Sequence, residues 1–221
     1  ASASTSPPLL RLYGDSVGTA ATSDPSMADG NLMFVHASPG ADSITAYVDG
    51  KATSAGALKY QQASGYASVA SGSRSVTLRV TTGAATVYKG TQLIRPAGNY
   101  TIVAYDLPSR LKALFLEDNS TAPAAGQAMV RFLHLDPAAP TLDVKVSTDL
   151  ANLFTGVKYL GASPFVALPA GTIALEVRAS PGGKVLKTLP SVTLSGGQTY
   201  TVMARPPETG TDLTLDLLVH K

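Results

Sequence analysis

Apolar and polar positions alternate along Val76-Thr77-Leu78-Arg79-Val80 and Leu142-Asp143-Val144-Lys145-Val146, and Thr199-Tyr200-Thr201-Val202-Met203 behaves similarly. A period of two puts successive side chains on opposite faces of an extended chain, so these segments read as half-buried strands. Turn chemistry falls between such segments at Asp49-Gly50, Ser71-Gly72, Ala97-Gly98-Asn99, Pro181-Gly182-Gly183 and Gly196-Gly197. Asp-Gly and Gly-Gly pairs supply the positive φ that tight hairpins need. No segment carries convincing helical periodicity. Short strands separated by regular turns predict an antiparallel sandwich of roughly seven or eight strands.

The pattern occurs twice. Phe34-Val35-His36-Ala37-Ser38-Pro39 aligns with Phe132-Leu133-His134-Leu135-Asp136-Pro137 at an offset of 98. Tyr60-Gln61-Gln62-Ala63-Ser64 aligns with Tyr159-Leu160-Gly161-Ala162-Ser163 at 99, and Tyr100-Thr101-Ile102-Val103-Ala104 with Tyr200-Thr201-Val202-Met203-Ala204 at 100. Order is kept while the offset drifts by two residues, which marks a duplicated domain rather than chance similarity. The period is too long for a solenoid unit, so each copy is expected to hold its own core. The expected organisation is a leader with an extra strand over 1–30, a first sandwich over 31–118, a linker over 119–127 and a second sandwich over 128–221. The linker is short, which favours sandwiches packed together over freely swinging ones.

Composition narrows the chemistry. The 221 residues are 44% apolar, enough for packed cores, and only 14% charged, with a net charge of +2. Lys and Arg are scattered, so the basic stripe of a nucleic-acid binder is missing. Without cysteine there are no disulfides, thiolate metal sites or thiol nucleophiles. No stretch reaches the ~18 consecutive apolar residues of a membrane helix. Ala1-Ser2-Ala3-Ser4-Thr5-Ser6-Pro7-Pro8 has tether composition, and a signal peptide with a lipid-bearing cysteine upstream of residue 1 is the corresponding expectation.

Phe34-Val35-His36-Ala37-Ser38-Pro39-Gly40-Ala41-Asp42, followed by Ala46-Tyr47-Val48-Asp49-Gly50, resembles the opening of the bacterial family called domain of unknown function 4397. Leu168-Pro169-Ala170-Gly171-Thr172 resembles that family's later Pro-Ala-Gly turn. The resemblance spans 31–118 and 128–220. It departs where Leu135-Asp136 replaces Ala37-Ser38, where no Val-Asp-Gly turn follows Val146, and where Ala70-Ser71-Gly72 lacks the proline. It implies immunoglobulin-like sandwiches on exported or surface proteins. It implies no activity and carries no catalytic or binding residues.

Candidate residues are weighed against structural roles. His36 and His134, each followed by Pro39 or Pro137, stand at equivalent strand ends; what two copies share is the fold, so the expected role is a hydrogen-bonded turn. Tyr60/Tyr159 and Tyr100/Tyr200 are expected in the core or at corners with bonded hydroxyls. Tyr13, Tyr88 and Tyr105 have no tyrosine counterpart and are the candidate ligand contacts. Gly14-Asp15-Ser16-Val17-Gly18 matches a nucleophile elbow, but a loop follows where a helix is required, and Asp216 and His220 have the wrong spacing for its partners. The scattered aspartates form no calcium loop.

The expectation is therefore two tandem immunoglobulin-like antiparallel β-sandwiches, with no catalytic, metal or cofactor residues. The function expected is a non-enzymatic secreted or envelope-anchored binding or adhesion module, its partner a protein or glycan at the cell surface. The second reading is a carbohydrate-binding or scaffold module of envelope polysaccharide machinery, and the third a serine esterase using Ser16.

Overall fold

A computed structural model describes residues 28–118, 121–149 and 151–220. The leader strand, Ser16 and Tyr13 lie outside these residues. Sixteen strands form four four-stranded sheets among the described residues.

In the first sandwich, β1 (Gly30–His36), β4 (Ala67–Val69), β7 (Asn99–Tyr105) and β8 (Lys112–Asp118) form one sheet in the order β4-β1-β7-β8. β2 (Ile44–Val48), β3 (Lys51–Leu58), β5 (Gly72–Val80) and β6 (Thr86–Ile94) form the other in the order β3-β2-β5-β6. The second sandwich repeats this order. β9 (Gln127–His134), β12 (Val166–Pro169), β15 (Thr199–Arg205) and β16 (Thr214–His220) pair as β12-β9-β15-β16. β10 (Leu142–Val146), β11 (Phe154–Val157), β13 (Gly171–Ala179) and β14 (Val185–Leu194) pair as β11-β10-β13-β14. All pairings are antiparallel except β1 with β7 and β9 with β15, which run parallel.

The two sandwiches differ in one hairpin. Asp49 and Gly50 both take positive φ, 48° and 79°, the geometry of a tight two-residue turn, and β3 pairs with β2 from Lys51 onward. The second copy has no such pair, and β11 shrinks to four residues.

The parallel pairs explain the interior. Leu32, Phe34, Tyr100 and Ile102 point into the first core; their equivalents Val130, Phe132, Tyr200 and Val202 point into the second. The alternate residues Met33, Val35 and Val103 face outward and are buried all the same, because they meet Leu133, Met203 and Leu218 of the other sandwich. Strands covered on both faces read as continuous apolar runs rather than alternation, as in Leu32-Met33-Phe34-Val35. The molecule is thus four sheets deep, with a third core between the copies. Each large aliphatic side chain in that core contributes roughly 1.5–3 kcal/mol by burial.

Candidate functional site: a cleft built by both sandwiches

The site begins with turns that fix the strand ends. His36 is buried; its Nε2 lies 3.0 Å from the Asp42 carbonyl, and its Nδ1 accepts the Ser38 N–H at 3.3 Å. His134 repeats both contacts, to the Pro140 carbonyl at 2.9 Å and from the Asp136 N–H at 3.3 Å. A carbonyl partner requires hydrogen on Nε2 and leaves Nδ1 free to accept, so both rings are neutral. Burial accordingly pushes both below the usual histidine range, against the opposing pull of the backbone carbonyls.

The Tyr-x-x-x-Ser segments clip onto the same strands. The N–H of Gln61 and of Leu160, each at positive φ, donates to the carbonyl of His36 or His134 at 2.8 Å. Ser64 and Ser163 accept the N–H of Phe34 and Phe132 through their hydroxyls at 2.9 Å. Tyr100 and Tyr200 close corners, each hydroxyl accepting a backbone N–H from Arg95 at 3.0 Å or Ser195 at 2.8 Å.

The two sandwiches carry different residues where they touch. Strand register makes Met33 equivalent to Arg131, and Asp118 equivalent to His220. These positions form a closed ring across the interface. Arg131 donates to Asp118 Oδ1 at 2.5 Å and to the Thr201 hydroxyl at 2.8 Å. Thr201 Oγ1 lies 2.8 Å from His220 Nε2, and His220 Nδ1 lies 2.9 Å from the Tyr66 hydroxyl. Tyr66 donates to Asp118 Oδ2 at 2.7 Å, which also accepts from Thr101 at 2.6 Å. Every donor is used if His220 is neutral with hydrogen on Nδ1. Its pKa is pushed down to about 4, mainly by burial, with Arg131 adding and Asp118 opposing. Nearer the other end, Arg205 bonds Asp216 of its own sheet and the Tyr60 hydroxyl of the first sandwich, and Tyr60 also donates to the Pro206 carbonyl at 3.0 Å.

β1, β7, β9 and β15 all finish at this end. The loops that follow them, one pair from each sandwich, enclose a cleft of about 410 Å³. Pro39, Leu107, Leu135, Pro137, Pro206 and Pro207 provide apolar walls; Asp106, Arg110, Asp136, Glu208 and Thr211 provide the polar groups. Leu107 is 50% exposed, a large apolar side chain open to solvent. Asp106 is held below the usual carboxylate range: burial works against this, but the Leu107 N–H, Lys112 and Arg110 outweigh it.

The sequence candidates distribute as follows. Pro39 and Pro137 line the cleft, while His36 and His134 anchor the turns behind it. Tyr105 is buried, 7% exposed, because β7 is covered on both faces. Tyr88 packs on the first core and its hydroxyl accepts from Gln92 at 3.1 Å. Neither reaches the cleft. Tyr60 is bonded as described, but Tyr159 stands 37% exposed: where Tyr60 meets Arg205, the equivalent position is Tyr105, which brings no guanidinium. Among the described residues, no group of three histidine, aspartate or glutamate side chains is placed to hold a metal, and no helix is long and apolar enough to cross a membrane.

A comparison with curated proteins gives no match. Among solved structures, a family 26 carbohydrate-binding module from Eubacterium rectale in complex with maltoheptaose is 13% identical, covers 85% of this chain and 96% of its own, and has a TM-score of 0.28. A structure reported for α-glucan recognition by family 41 carbohydrate-binding modules from streptococcal virulence factors is 14% identical, covers 79% and 93%, and has a TM-score of 0.25. The model of the family described as Domain of unknown function (DUF4397) matches residues 30–145, from β1 through nearly all of β10, and the chain belongs to that family.

Proposed function

We propose that the chain is a non-enzymatic binding module of the bacterial cell envelope, made of two tandem copies of the family domain divided at 119–127, and that its ligand site is the cleft at the end of the fused sandwiches. The observation that carries this reading is the convergence of four loops, two from each copy, into one apolar-walled cleft with polar groups at its rim. Loops held on rigid strands are where sandwich domains place their recognition surfaces. The chain's three histidines all have both ring nitrogens committed to structural bonds, which supports binding over acid–base chemistry.

Export to the envelope and a lipid anchor belong to this proposal. A partner protein is favoured over a glycan because, among the described residues, no aromatic ring lines the cleft to stack on a sugar. Parallel protein and glycan arrays with the purified chain separate the two. The reading expects protein binding that Leu107→Asp abolishes. Binding that survives both Leu107→Asp and Thr211→Trp would place the site elsewhere. Hydrolysis of a simple acyl ester, lost in Ser16→Ala, would replace this reading with the esterase.

A further inference from the structure

The geometry points to Asp136 as the anchor for a basic side chain, lysine or arginine, of an extended partner-protein segment lying in the interdomain cleft. This rests on the cleft being the binding site and adds the chemical class of what enters it.

Position 136 has a structural counterpart in the first sandwich. Its equivalent is Ser38, whose hydroxyl donates to the Asp106 carbonyl at 2.6 Å and ties the end of β1 to the end of β7. In the second copy the corresponding carbonyl, Pro206, is already taken by the Tyr60 hydroxyl at 3.0 Å and by Arg205 at 3.3 Å. Position 136 is thereby released from the tie, and it carries a carboxylate. Asp136 is only 3% exposed. Among the described residues its side chain has one hydrogen-bond partner, the Ala138 N–H, which donates to Oδ1 at 2.9 Å. No lysine or arginine pairs with it among the described residues. The carboxylate is therefore held in place by one backbone N–H and has no cationic partner, and an ammonium or guanidinium entering the cleft would form a charge-assisted hydrogen bond with it.

A cation can reach it. Asp136 forms part of the wall of the cleft and also of an adjoining recess of about 310 Å³. Pro137, Pro206 and Pro207 offer apolar surface for the methylene stem of a long basic side chain, with its head on the carboxylate. Glu208 adds the same sign at the mouth of the cleft. Asp106, by contrast, is already paired with Arg110 at 2.9 Å and Lys112 at 3.3 Å. A single uncommitted carboxylate suits one ammonium or guanidinium and falls short of the several oxygens a hard metal ion needs.

The test titrates the ¹⁵N-labelled full chain with acetyl-Pro-Arg-Pro-amide and with the same peptide carrying citrulline, which keeps the shape and removes the charge. Saturable shifts at Ala138, Thr211 and Asp212 are expected for the arginine peptide, at least tenfold weaker for citrulline. Two variants guard against misfolding: Asp136→Asn keeps the Oδ1 acceptor, and Asp136→Ser installs the first copy's residue. Both should fold, melt close to the parent temperature and lose at least tenfold in affinity. Equal binding of the two peptides, or full affinity in Asp136→Asn, overturns the cation anchor while leaving the cleft as the site. No shift at the cleft with either peptide overturns the anchor as well; whether the cleft itself binds is then read from Leu107→Asp. A monomer–dimer equilibrium abolished by Asp136→Asn overturns it in favour of a second copy as occupant.

Discussion

His36 and His134 each hold a loop to a strand end with one donated and one accepted bond, in an almost solvent-free place. His36→Phe preserves ring volume but leaves the Asp42 carbonyl and the Ser38 N–H unpaired. The expected cost is about 2–4 kcal/mol in chemical denaturation, the sum of two unmade bonds; a change below about 0.5 kcal/mol would mean that the turn holds itself. His220 sets the acid limit. Its folded pKa is lowered from 6.5 to about 4, so between those values the unfolded chain binds the extra proton. Stability is therefore complete above about pH 6.5 and is lost as pH falls toward 4; His36 and His134, also lowered, act in the same direction. Between pH 6.5 and 5 the His220 share is about 2 kcal/mol. His220→Gln should flatten the slope of unfolding free energy against pH in that window, and an unchanged slope would assign the acid sensitivity elsewhere. Asp136 was legible in the sequence as a departure from Ser38, but its isolation was not, because that depends on Tyr60 arriving from the other copy. Tyr105 was misleading for a related reason: lacking a counterpart marks divergence, and here divergence lies under the interface.

At the scale of elements, strands and turns were legible because each carries its own signal. Alternation locates β5, β10 and β15, though β15 proves buried on both faces rather than half-buried because Thr201 and Met203 lie under the other sandwich, and the absence of Val-Asp-Gly after Val146 is the shortened β11. The parallel pairing of β1 with β7 was not legible, since a parallel partner lies far along the chain and leaves no local mark. The ring on β8, β9, β15 and β16 was not legible either, because its charged members are unlike residues at equivalent positions: Arg131 stands where the first sandwich has Met33, and His220 where it has Asp118. Its strength is testable. Arg131→Met gives the second copy the first copy's residue but strands Asp118, which is buried. The expected loss is about 3–5 kcal/mol, with most of it recovered in Arg131→Met combined with Asp118→Asn. Equal instability of the single and double variants would show that the pair is not what holds this end.

At the scale of the whole molecule, two sandwiches share one strand order, and the differences between their facing residues make the joint asymmetric. Met33, Val35 and Val103 on one side and Leu133, Met203 and Leu218 on the other form its centre, with the Arg131–Asp118 ring toward one end and Tyr60–Arg205 toward the other. The cleft exists only because that joint holds the four loops together. The chain has no cysteine, so two introduced thiols can be labelled cleanly. Leu93 and Val185 are exposed, on β6 and β14, one on each outermost sheet. The most direct measurement is the spin–spin distance distribution by pulsed electron resonance in Leu93→Cys, Val185→Cys. A single narrow distribution is predicted for one four-layer body; a broad or multiple distribution would contradict it and dissolve the cleft with it.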